Sequence, residues 1–244
     1  DLLRDLMIDH PEPFRLYSSQ LPRRSPFSCL LDMVVYLEGQ GKEDAIRTRL
    51  QEITLELMKN APKKKNKKVL FSSTLCVSRA NNTDSVRHYG VSMSTTGPNA
   101  GRIMIAASCL SSYWDEYVAD AVMTYYPENT KKDYFDGTIK LPKDVTCRAY
   151  SIKSGSEMQP CEACGNLFGL SPAPEEKYHK ESDYGNCAEV ESLSNLLKHE
   201  NFKPTSNTFT KNTEARTYTE RKLKEILKMI KFKTWSNKYY RASK

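Results

Sequence analysis

The sequence predicts an α/β (α+β) chain in which a central mixed sheet is flanked by helices and preceded by a helical extension. Three observations carry this. Strand-length apolar runs recur between residues 69 and 152, separated by clusters of turn-forming residues. Two long stretches, 42–58 and 213–231, repeat apolar residues at helical spacing. Strand and helix patterns do not alternate regularly, which favours one sheet domain over a repeated βα unit. On this reading residues 1–62 are a helical N-terminal extension, and residues 63–244 are the sheet domain that it packs against.

The elements follow in order. A short helical patch covers Leu2–Ile8, and Pro11, Pro13, Pro22 and Pro26 make the rest of the lead-in irregular. Phe27–Leu37 is apolar and breaks at Gly39-Gln40-Gly41. From Lys42 to Met58, Ile46, Leu50, Ile53 and Leu57 form one apolar stripe. Strands are expected at Val69–Arg79, Tyr89–Thr95 and Arg102–Leu110. A turn lies at Asn81–Asp84, and Gly97-Pro98-Asn99-Ala100-Gly101 reads as a hairpin turn. Ser112–Tyr126 reads as a helix stopped by Pro127, Thr130–Asp136 as a loop, and Gly137–Leu141 and Val145–Ile152 as strands. A polar loop, Lys153–Gln159, leads to Pro160, which suits a helix's first turn because its missing N–H costs nothing there. That helix ends near Gly169, and Leu170–Tyr184 is loop. Asn186 would cap the next helix, Cys187–His199, with Leu193, Leu196 and Leu197 inward. Phe202–Lys211 is loop. The last helix, Thr213–Lys231, carries Ala215, Leu223, Ile226, Leu227 and Ile230 on its apolar stripe.

Composition narrows the function. The 244 residues suffice for one large domain or two small ones, and mean hydropathy is −0.64. No apolar run approaches the ~20 residues of a membrane span, so no membrane partner is expected. No signal peptide opens the chain, which starts at Asp1 rather than Met as a piece of a longer protein would. Net charge is +7, from 37 basic and 30 acidic residues, a modest excess compatible with a polyanionic partner. The seven cysteines are an odd number, which argues against a disulfide framework and for a reducing compartment: the cytoplasm, with the nucleus as the alternative. Cys76 and Cys109 sit in apolar runs and read as small buried hydrophobes. No phosphate-cradling glycine loop, Ser/His/Asp order or HExxH is present.

The chemistry concentrates in Pro160-Cys161-Glu162-Ala163-Cys164 and Cys187-Ala188-Glu189, where the thiols of Cys161, Cys164 and Cys187 and the carboxylate of Glu189 fall within 29 residues. Zinc binds thiolates, and Cys-x-x-Cys at a helix start is a chelating pair that the helix N-terminus favours electrostatically. A third cysteine at a second helix start completes a three-ligand set for zinc, leaving a position for water whose pKa falls toward ~7. Glu189 neighbours one ligand and is placed to move that proton. The alternative is a structural clip whose fourth ligand is His179, His199 or Cys147. His88 and His10 are isolated and read as surface or capping residues.

These motifs resemble the zinc-dependent cytidine deaminase superfamily, closest in style to nucleic-acid deaminases of the AID/APOBEC kind. The match covers about 40 residues: Ala149-Tyr150-Ser151-Ile152 running through a Ser-Gly-Ser loop into Pro160-Cys161-x-x-Cys164, and Cys187-Ala188-Glu189. The resemblance implies Cys161, Cys164 and Cys187 as zinc ligands, Glu189 as proton shuttle, and the Ala188 N–H as a contact to the substrate base. It implies hydrolytic deamination of a nucleobase. In that family the Ala-Glu helix precedes the Pro-Cys helix; here it follows. The rival expectation is a non-enzymatic effector, with a structural zinc, that binds nucleic acid or protein.

Basic clusters make RNA or single-stranded DNA the expected partner. Lys63, Lys64, Lys65, Lys67 and Lys68 form either a solvated linker or a nucleic-acid or nuclear-import contact. The C-terminal stretch interleaves Lys231, Lys233, Trp235, Lys238 and Tyr239, offering charge and stacking together, or else packs its aromatics on the sheet. Tyr125, Tyr126, Tyr134 and Phe135, near Lys131 and Lys132, are either core or a second stacking platform.

Overall fold

The computed structural model describes residues 2–17, 19–60, 71–80, 85–95, 97–178, 183–200, 204–206 and 212–240. The Lys63–Lys68 cluster, the Asn81–Asp84 turn and His179 lie outside them.

The chain opens with α1 (Leu2–Asp9) and α2 (Pro11–Tyr17), then β1 (Gln20–Pro22). The expected irregular lead-in is therefore partly regular, with Pro11 at a helix start where its ring is tolerated. In α3 (Pro26–Glu38), Ser25 caps the N-terminus by accepting from the Ser28 N–H at 3.3 Å, and Gly39 closes the helix with φ +97°. α4 (Glu43–Asn60) buries Ile46 and Leu50 as the stripe requires, while Leu57 at its end faces outward.

Next come β2 (Thr74–Ala80), β3 (His88–Val91), α5 (Pro98–Leu110), α6 (Glu116–Tyr125), β4 (Ile139–Lys140) and β5 (Val145–Ser151). The expected strand at Arg102–Leu110 is helix, and the expected hairpin turn is that helix's start. Gly97 with φ +86° turns the chain, and Pro98 fixes the first helical residue. The apolar run misled because α5 buries Gly101, Met104, Ile105, Ala106, Ala107 and Cys109 on several sides, which erases the amphipathic signature. The chain continues through β6 (Glu157–Met158), α7 (Glu162–Phe168), α8 (Ala188–His199), β7 (Thr205–Ser206), α9 (Asn212–Met229) and β8 (Lys238–Tyr240). β6 falls where a polar loop was expected, and β8 where a tail was. β8 pairs in parallel with β1, Leu21 opposite Tyr239.

The fold is mixed α/β. Its largest sheet has the order β3-β2-β5-β6, with every neighbour antiparallel. Strand alternation sends β2 residues to two faces. Leu75 and Val77 join Phe27, Leu31 and Val34 of α3 and Ile46 and Leu50 of α4 in one core. Cys76 and Ser78 face α8, where the Ser192 hydroxyl meets that of Ser78 at 2.7 Å. A second core gathers α5, α6, α7, α8 and α9.

That core holds one ionisable misfit. Asp120 on α6 is buried; one oxygen accepts from the Asn212 amide at 2.8 Å, and the other has no hydrogen-bond partner. Burial raises its pKa to about 7. A carboxyl whose folded pKa lies above its unfolded value stabilises fully below the unfolded pKa and loses that contribution as pH rises through the folded one. Asp120→Asn keeps an acceptor for Asn212 and removes the charge. It should therefore be more stable than the parent at pH 8, by on the order of 2 kcal/mol, with the gap closing by about pH 4. Urea unfolding at both pH values checks this; a gap that does not vary with pH contradicts it.

Candidate metal centre

Two helix starts meet at this site. Cys161 occupies the N-cap of α7 with extended backbone (φ −81°, ψ 163°), directly after Pro160, and Gly169 ends that helix in the left-handed region. Cys187 occupies the N-cap of α8 (φ −73°, ψ 148°), displacing by one residue the cap expected at Asn186. The Sγ atoms of Cys161, Cys164 and Cys187 all lie within 4.8 Å of one another, and those of Cys161 and Cys187 are 3.1 Å apart. All three residues are 9 % exposed or less. This buried cluster could hold a metal ion.

The electrostatics suit a shared cation. Hydrogen bonds from the Cys164 and Cys187 thiols hold Cys161 well below the usual thiol range, and the two donors are pushed up in turn. A divalent ion would displace the protons that the thiols hold. Glu189, in the first turn of α8, is buried beside them; burial raises its pKa to about 7, and it hydrogen-bonds Cys164. Cys76 feels its charge from the sheet side.

Two candidates for a fourth ligand are placed elsewhere. His199 sits at the other end of α8, roughly 17 Å along the axis at 1.5 Å per residue. Its ring stacks on His88 at 5.6 Å, and His88 is buried rather than on the surface. Cys147 pairs with Cys76, Sγ to Sγ 3.3 Å. Among the described residues, no fourth metal-binding side chain joins the three cysteines.

The sheet fixes α8 through contacts that hydropathy does not show. β3 is an edge strand, and the α8 side chains reach its backbone: Ser192 donates to the His88 carbonyl at 2.8 Å, Asn195 to that of Tyr89 at 2.9 Å, and Glu191 accepts from the Val91 N–H at 2.9 Å. Glu191 also takes hydrogen bonds from Tyr113 at 2.7 Å and from Ser28, tying α3 to the same point. Gly90 makes the approach possible: a Cβ there would lie 2.3 Å from the Ser192 nitrogen and 2.6 Å from the Ala188 oxygen. The signal in sequence was a glycine inside a strand run and the polar residues Glu191, Ser192 and Asn195 among the leucines of α8.

A cavity of about 450 Å³ opens at the N-terminus of α8, lined by Asn186, Tyr184, Met93 and the start of α5. The three cysteines and Glu189 do not line it. Of the C-terminal residues singled out from sequence, Lys231, Lys233 and Lys238 are exposed. Trp235 and Tyr239 are half-buried, stack edge to face at 6.0 Å and pack on the core. Tyr125, Tyr126 and Phe135 are core; Tyr134 meets Tyr218, over which Lys132 lies at 4.8 Å.

No protein-family model, curated protein or solved structure matches this chain. The structure gives a mixed α/β fold whose buried three-cysteine cluster could bind a metal, and no helix among the described residues is long and apolar enough to cross a membrane.

Proposed function

We propose that this chain is a zinc-dependent hydrolytic deaminase acting on a nucleobase, with RNA or single-stranded DNA as the substrate class, in the cytoplasm or nucleus. One observation carries the reading. The Pro-Cys helix and the Cys-Ala-Glu helix occur in reversed order along the chain, yet their starts converge on one point, with Glu189 against the cluster. The donor set fits zinc: three soft thiols at helix N-termini, with no fourth protein ligand among the described residues. Cys161, Cys164 and Cys187 would hold it. When bound, zinc supplies Lewis acidity and lowers the pKa of water at its open position.

The remaining work falls to the chain's own groups. Glu189 would take a proton from the water whose oxygen bonds to the ring carbon, deliver it to the ring nitrogen, and pass a second proton to the exocyclic amine, which departs as ammonia. Ala188 is the first residue of α8, so its N–H has no acceptor within the helix and would hold the base. Burial excludes bulk water. The exposed Lys231, Lys233 and Lys238 supply charge for a phosphate backbone.

A second reading has its own support. The cysteines and Glu189 are nearly enclosed, and the cavity that Cys187 lines holds only about 20 Å³, as in a structural clip serving a non-enzymatic nucleic-acid- or protein-binding effector. Glu189→Gln separates the two. It should keep stoichiometric zinc and the parent melting temperature while deamination of a cytosine or adenine oligonucleotide falls at least ~100-fold. Mass spectrometry of the product reads the amine-to-carbonyl exchange. A zinc-loaded parent that converts neither base leaves the effector reading in place.

A further inference from the structure

The cavity at the start of α8 has a second pole that the metal reading does not use. The N-terminus of α5 also borders it: Gly97, Pro98, Gly101 and Arg102 all line it. No side chain caps that terminus, and Pro98 contributes no N–H. The first helix bond here is Gly101 N–H to the Gly97 carbonyl, so the positive end of the α5 dipole borders the cavity. Arg102 is exposed, and no ion pair holds it among the described residues. Tyr126 also lines the cavity; it is 2 % exposed, its hydroxyl has no hydrogen-bond partner, and it senses the charge of Arg102.

The same cavity carries other chemistry at Asp183 and Tyr184. Asp183 accepts from the Asn129 amide at 2.7 Å and the Asn186 amide at 3.4 Å, presenting a fixed carboxylate. Tyr184 stacks on Tyr125 at 3.9 Å, three residues before Cys187 of the metal cluster. The Arg102 guanidinium, the Asp183 carboxylate and the Tyr184 ring line this one cavity, and they suit a phosphate, a sugar hydroxyl and a base. A volume of about 450 Å³ is sufficient for one nucleotide unit.

We propose that this cavity is a nucleotide-binding cleft in which Arg102 and the α5 N-terminus grip the phosphate. The identity of the base rests on the deaminase reading; the phosphate grip does not. The shared ligand chemistry is a nucleoside phosphate, whether free or within a strand.

Calorimetric titration of the zinc-loaded full chain tests it, with cytidine, cytidine 5′-monophosphate and a short single-stranded oligodeoxycytidylate as probes. The monophosphate should bind at least ~10-fold more tightly than cytidine, a gain in the range of one charge-assisted phosphate contact. Arg102→Ala should erase that gain while leaving zinc content and cytidine affinity unchanged. If the oligonucleotide shows the same Arg102 dependence, the phosphate belongs to a strand; if only the monophosphate does, it belongs to a free nucleotide, and either result upholds the cleft. Equal affinity for cytidine and its monophosphate, binding by the variant as tight as by the parent, or no binding of any probe overturns it. Phosphate-dependent binding without turnover would leave the cleft standing and remove the deaminase reading. Turnover with equal nucleoside and nucleotide affinities would do the reverse.

Discussion

Cys187→Ser is expected to abolish stoichiometric zinc binding. The parent chain, titrated with zinc, should gain stability as its site fills, by about 2.7 kcal/mol at a free concentration one hundred times the dissociation constant. The variant should show no such gain, because two cysteines of one helix turn cannot hold the ion against solvent once the third sulfur is replaced by a weak hydroxyl donor. The metal-free variant should melt close to the metal-free parent, since serine nearly preserves the volume at an N-cap and is itself a good cap. That pairing separates a ligand from a packing residue. Cys147→Ser is the companion: its sulfur faces Cys76, not the cluster, and full zinc content should survive. Elemental analysis after gel filtration reads both, and stoichiometric zinc in Cys187→Ser would sink the three-sulfur site.

Gly90→Ala should do comparable damage without touching a ligand. The added methyl would meet α8 backbone at 2.3 and 2.6 Å, and backbone cannot rotate away as a side chain can. Either β3 separates from β2 or α8 moves outward, and both options strain buried hydrogen bonds. The expected cost is on the order of 3 kcal/mol, at the upper end for overpacking, measured as a lower urea midpoint. Because α8 carries Cys187 at its first turn, zinc affinity should fall with it. An unchanged midpoint would mean that the helix is not held where the structure puts it.

Much of the frame was legible in the residues because local chemistry specified it. Pro160 and Gly169 bracket α7, and the spacing of Ile46 and Leu50 marked α4. The three cysteines announced themselves as one set by their placement at two helix starts. What stayed hidden was decided by long-range packing. α5 resembled a strand because a helix buried on several sides has no polar stripe to betray it. Asn186 lost the cap position to Cys187, since a good capping residue is only a preference that tertiary placement overrides. Glu191 is buried and joins β3, α3 and Tyr113. Its partners lie far away in sequence, so no local pattern could reveal it. The aromatic and basic residues of the C-terminus divided between two roles: the rings turned toward the core and the lysines outward.

The placement of the cysteines also bears on the order in which the chain assembles. Cys164 and Cys187 are 23 positions apart, whereas Gly90 and Ala188, which meet where α8 docks on the sheet, are 98 apart. Closing the shorter loop costs about 1 kcal/mol less chain entropy than closing the longer one. The thiol cluster is thus a local structure, able to gather around an ion while the sheet is still forming. Metal capture and helix docking become separable steps, and refolding followed with zinc added early or late would resolve them as two kinetic phases.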